Sequence, residues 1–123
     1  MENEIIDSSA SWQPILPGEL SDIGAAANNA AARHRFADYH QRRAQHTIRR
    51  QYSDLALFSE FLSTLGLSAG DLFNEPDAWI VITWGLVEAF IKWQLKKGYA
   101  VSTVNVRLST IKAYSRLAMQ AGT

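Results

Sequence analysis

The chain contains no cysteine. Disulfides, thiol nucleophiles and cysteine-based metal sites are therefore excluded, and a cytoplasmic setting is the expectation. No run of about eighteen apolar residues occurs, the length a helix needs to cross a bilayer, so no membrane partner is expected. The opening residues, MENEIIDSSASW, are acidic and lack the basic start and apolar stretch of a signal peptide. Glycine-rich phosphate loops and nucleophile motifs are also missing. His34, His40 and His46 recur at a spacing that rotates each by about 240° from the last, so no two neighbours share a helical face. They read as surface or interfacial side chains; no metal and no other cofactor is expected. Asp71, Glu75 and Asp77 share one stretch, but a calcium loop needs denser oxygen ligands and a closing Glu, so a solvated acidic loop is the reading.

What remains is a chain of 123 residues, long enough for one domain with one core. Its 47% hydrophobic and 11% aromatic content is that of a globular domain and not of a disordered one. The formal net charge of zero argues on its face against nucleic acid, but it arises by cancellation between blocks. Residues 1–32 hold five acidic residues and no Lys or Arg, and residues 33–50 hold six Arg against one Asp. Residues 51–91 hold six acidic residues and no Lys or Arg, and residues 92–123 hold six Lys or Arg and no acid. Two basic blocks can form one basic face once the chain folds.

Residues 1–24 mix Ser, Pro, Gly and acidic residues without a period and read as a flexible acidic tail. Within it Trp12, Ile15 and Leu16 are the residues that could dock on the body. A helical domain is expected over residues 25–123. Its first helix starts at Ala25 in an Ala- and Arg-rich stretch, with Ala32, Phe36 and Tyr39 inward. The second helix is expected from Thr47, as N-cap, to Leu65, with Ile48, Tyr52, Leu55 and Leu62 on one side and Gly66 as its exit.

The β-branched run at residues 79–83 tempts a strand assignment, but no partner strand exists. A third helix from Trp84 is apolar round most of its circumference, interrupted by the stripe Glu88, Lys92 and Lys96, and is expected at the centre of the core. The fourth, capped by Ser102 or Thr103, turns Val104, Leu108, Ile111 and Ala118 inward. Asn105, Ser109, Lys112 and Arg116 form its polar stripe, which holds no acid. The fold class is all-α, a compact four-helix bundle.

The cationic features invite a partner. A helix start is its positive pole, where Arg49 and Arg50 are unfavourable by roughly 0.3–1 kcal/mol each unless something negative sits there. Free N–H groups and two guanidinium groups together attract a phosphate. An acid-free stripe with Asn105, Ser109, Lys112 and Arg116 suits a major groove, whose phosphates and base edges such side chains can bond. Periodicity and charge alone leave open a merely solubilising surface, nucleic-acid binding, or a protein-binding bundle.

The stretch HTIRRQYSDLALFSEFL, with Tyr52, Asp54, Leu55, Phe58, Phe61 and Leu62, is followed by GYAVSTVNVRLSTIKAYSRLA, with the pattern running from Ser102 through Tyr114. In that order and at that spacing they resemble the core-binding, SAM-like domain of tyrosine recombinases, the phage-integrase family, over roughly residues 30–121. The resemblance implies a four-helix bundle that forms half of a clamp on double-stranded DNA, for DNA integration and recombination. It implies Thr47, Arg49 and Arg50 at one contact, and Thr103, Asn105, Arg107, Ser109, Lys112 and Arg116 at the other. The angle of Arg107 puts it beside Ile111 and away from the polar stripe. The family's chemistry belongs to a second domain with a tyrosine nucleophile. Tyr39, Tyr52, Tyr99 and Tyr114 lack such a setting, so the expectation is a chain that binds without cutting. It is expected as a monomer alone, assembling with other recombinase protomers on DNA when joined to that domain. The alternative is a helical protein-interaction module.

Overall fold

The computed structural model describes residues 17–121, and side chains from residue 23 to residue 120 apart from residue 29. Among these residues it comprises α1 (Pro17–Arg42), α2 (Gln45–Thr64), a single 3-10 turn (Pro76–Trp79), α3 (Trp84–Lys96) and α4 (Val101–Ala121), with no strand. The four-helix expectation holds, and the run at residues 79–83 is turn and cap. The boundaries differ at three places. Residues 17–24, read as tail, are the start of α1; proline suits that position because its fixed φ is helical and its missing N–H would have had no partner. The rest of the expected tail, residues 1–16, lies outside the described residues. Helix α2 begins at Gln45 with Ala44 in the cap position, so Thr47 is inside the first turn and caps nothing. Helix α4 begins at Val101, ahead of both expected caps.

The inward face of α2 is Leu55, Phe58, Phe61 and Leu62, with two polar residues, Gln51 and Asp54, on the same side. Tyr52 is not on it: one step round from Gln51, it is 57% exposed and lays its ring edge against Phe73. The helix stops as its sequence dictates. Gly66 adopts φ +79°, open to glycine at no steric cost, and the Leu67 N–H closes the end on the Leu62 carbonyl at 3.0 Å. In the following loop the Asp71 carboxylate accepts the N–H groups of Phe73 and Asn74, fixing a turn. That turn delivers Leu72 to the core, and its carbonyl accepts the buried Trp79 indole N–H at 2.9 Å.

Helix α3 was expected at the centre and is not. Thr83 caps it, its hydroxyl accepting the Leu86 N–H, but only Val87, Phe90 and Gln94 are buried. Its other apolar residues include Trp84 and Leu95, both exposed. The central helix is α4, against which α1, α2, α3 and the 3-10 turn all pack. Val104, Thr110, Ile111 and Tyr114 supply its buried side. Helix α3 instead attaches by one face through an aromatic layer. Phe90 lies 4.9 Å from Phe58 and 5.4 Å from Phe61 between ring centroids, and Trp93 lies 5.3 Å from Phe61.

This placement separates two aromatic residues of one helix by energy. Phe90→Ala should cost about 3–5 kcal/mol, the range for deleting a fully buried ring. Trp84→Ala, at an exposed position, should stay near the roughly 0.5 kcal/mol of ordinary surface changes. Urea unfolding of both variants checks it; equal losses would contradict a one-faced α3.

Candidate nucleic-acid interface

The polar centre of the molecule is Asp54, buried on α2. The Thr110 hydroxyl of α4 donates to its Oδ2 at 2.7 Å. Two guanidinium groups approach the same carboxylate: Arg50 Nε lies 3.7 Å from Oδ2, and Arg107 Nε lies 3.9 Å from Oδ1. Arg107 also donates to Gln94 Oε1 on α3 at 3.1 Å and stacks over the Tyr99 ring at 4.3 Å. Its side chain is 18% exposed, against 51% for Arg50. Arg107, itself on α4, thus reaches α2, α3 and the connection between α3 and α4, while Arg50 keeps half its surface toward solvent. One carboxylate between two guanidinium groups leaves a net positive charge at the seam.

The sequence-predicted residues fall into separate groups. Arg50 and Arg107 are brought together by Asp54. Because α2 starts earlier than expected, Arg49 and Arg50 sit in its second turn and not at the free N–H groups. Gln51 and Asp54 face α4, and Arg49, about 200° round from Gln51 at helical spacing, is exposed on the side turned away. Helix α4 divides in the same way. It shows Arg107, Thr110 and Tyr114 to α2, whereas Asn105, Ser109, Lys112 and Arg116 are all exposed on the opposite side. Ser109 has its hydroxyl engaged with the Asn105 carbonyl, and Lys112 Nζ stands 6.0 Å from the Trp84 ring centroid. Among the described residues no carboxylate is within salt-bridge distance of Arg49, Lys112 or Arg116. Thr47 and Thr103 are half-buried.

The sequence reading named no site residue on α1, yet Arg35, Arg42 and Arg43 line a hollow there with Leu117, the chain neighbour of Arg116. Arg42 pairs with Asp38 at 3.2 Å and Arg43 stacks on Tyr39 at 4.3 Å. The basic block over residues 33–50 was the available signal for them.

Tyr114, fully buried, ties the helices together beneath this surface. Its hydroxyl donates to Gln51 Oε1 at 3.1 Å, and the Gln51 amide donates to the Tyr39 hydroxyl at 2.9 Å. His40 Nε2 meets the Tyr114 hydroxyl at 3.1 Å, with its ring stacked on Phe73 at 4.1 Å. Burial pushes the Tyr114 phenol well up from its ordinary value. Burial likewise lowers the His40 pKa, with the Asp71 carboxylate pulling the other way.

All these features define an all-α helical domain. Residues 34–122 match the family model described as phage integrase, N-terminal SAM-like domain, and the chain belongs to that family. No curated protein and no solved structure matches the chain significantly.

Two outcomes follow from the buried polar groups. Thr110→Val removes a donor from a buried carboxylate and should destabilise the fold by about 1–3 kcal/mol in urea unfolding. His40 in the folded state takes up its proton at lower pH than in the unfolded chain. Its contribution is therefore whole above the unfolded pKa of about 6.5 and is lost as pH falls through the lowered folded value. Between pH 7.5 and 5.5 the melting temperature of the native chain should fall further than that of His40→Gln.

Proposed function

We propose that this chain is the DNA-binding domain of a site-specific tyrosine recombinase, holding duplex DNA as half of a clamp while a separate domain carries the chemistry. The observation that supports it most is the exposed side of α4. Asn105, Ser109, Lys112 and Arg116 lie along one solvent-facing stripe of a helix with no acidic residue, and among the described residues neither cation is spent on a carboxylate. Cations on such a stripe can neutralise phosphates, and Asn105 is of a length and polarity to reach a base edge. Arg49 and Arg50, with Thr47, form a second candidate contact on α2, and Thr103 and Arg107 complete the set at the start of α4. Arg107 has the weakest claim of these, since Asp54, Gln94 and Tyr99 already hold it. Because the stripe and Arg49 point away from each other, a single straight duplex would engage one of them first. The domain would then act in the cytoplasm, with further protomers assembled on the DNA.

A protein-interaction module is the second reading, favoured by the exposed Trp84 and Met119. Salt separates the two. Contact with about four phosphates implies a slope near −3.6 for log affinity against log salt. Lys112→Gln with Arg116→Gln should reduce that slope by about two and weaken all duplex sequences alike. Arg49→Gln with Arg50→Gln measures the α2 contact in the same way, and Lys92→Gln with Lys96→Gln on α3 should change little. Equal weakening by the α3 and α4 pairs in a fluorescence-anisotropy titration would refute the assignment of the α4 stripe.

A further inference from the structure

Between the start of α3 and the last turns of α4 lies a groove of about 630 Å³, lined by Trp79, Trp84, Val87, Ile111 and Met119. Trp84 is 56% and Met119 69% exposed, an unusual outlay of large apolar surface for a domain this small. Among the described residues the groove's charged lining is Lys112 and Arg116, with no carboxylate.

We propose that the acidic segment preceding α1, residues 1–16, docks in this groove on its own chain. Charge complementarity is the first ground. The segment carries Glu2, Glu4 and Asp7 with no Lys or Arg, and the groove offers two cations that lack a carboxylate partner among the described residues. Shape and polarity are the second. Ile5, Ile6, Trp12, Ile15 and Leu16 give it apolar anchors for an apolar trough, and a Trp side chain buries the most area per residue ordered. Reach is the third. Ala25 and Asn28 of α1 line one hollow with Ile80 and Ala118, whose chain neighbours Trp79 and Met119 line the groove. Helix α1 therefore passes the groove's edge. From Ala25 back to Pro17 the helix advances about 12 Å, and the sixteen residues before it can return over as much as about 50 Å when extended.

Tethering favours this occupant over a second copy, since a short linker supplies an effective concentration of roughly millimolar. The docked carboxylates would cover Lys112 and Arg116. Docking itself does not depend on DNA binding; only the resulting competition with phosphate rests on the function proposed above.

The chain's lack of cysteine makes the test direct. A nitroxide on Ser9→Cys in the full chain should broaden the Trp84 indole N–H and Met119 methyl signals and leave the Trp93 indole sharp. Adding Lys112→Glu with Arg116→Glu should restore those signals, whereas Lys92→Glu with Lys96→Glu should not. Broadening that is absent from Trp84 and Met119, or spread evenly over the molecule, overturns the proposal. So does broadening that persists when the nitroxide is on a separate, unlabelled copy, because the occupant is then a second chain. If the groove signals respond as expected but no duplex is bound at any salt, the docking stands and the DNA reading falls.

Discussion

A carboxylate has been taken out of water at Asp54, and the arrangement of the helices answers that cost. A buried charge must find hydrogen-bond donors or counter-charges, or the fold loses several kcal/mol (about 3–5 when one partner of a buried pair is removed). Thr110 supplies the donor from α4, and Arg107 and Arg50 supply the charge from either side. Satisfying Asp54 therefore fixes the register of α4 on α2. Arg107 carries the constraint onward to Gln94 and the end of α3, whose Phe90 and Trp93 then close the aromatic layer. Apolar contacts alone tolerate sliding, because Leu, Phe and Ile repack with modest loss. A carboxylate served by one hydroxyl does not.

The same constraint sorts the cations. Those drawn toward Asp54 are committed to the interior by degrees, Arg107 nearly wholly and Arg50 by half. Lys112 and Arg116 lie on the far side of the helix whose near side Asp54 holds. The more firmly Thr110 is anchored, the more rigidly that stripe is presented, so an interior bond between two helices governs an exterior surface it never touches. Rigid presentation matters under the DNA-binding role proposed above, because side chains already positioned lose less freedom on binding.

Much of this was readable from residues alone, and the failures have identifiable causes. The four helices, the glycine exit at Gly66 and the inward positions Val104 and Ile111 follow from period and turn chemistry, which are local. The outward stripe on α4 follows too, because its four members share one angle. The start of α2 was misplaced because Thr47 is a good cap by type, whereas Ala44 holds that position with no side-chain bond at all. The centre of the core was assigned to α3 on hydrophobicity, yet apolar content says only that a helix has much to bury and not that its neighbours surround it. Asp54 belongs to the pattern that carries the family resemblance, but its role was not legible there, because Thr110, fifty-six positions on, is brought to it only by the fold. Arg107 was set apart from the stripe by angle, and the structure gives the reason in its three partners.

That α4 is the helix on which every other element leans has a consequence for the order of synthesis. The chain leaves the ribosome from its N-terminal end, so α1, α2 and α3 emerge before the helix that joins them. Until Tyr114 is out, Phe36 lacks the ring it packs against, and Asp54 lacks both Thr110 and Arg107. Closure is a late, long-range event in which residues dozens of positions apart meet at once, which makes folding slower than in a bundle of neighbouring hairpins. Nascent chains paused before α4 would hold Phe36 and Asp54 without their α4 partners and so expose surface that the finished domain buries.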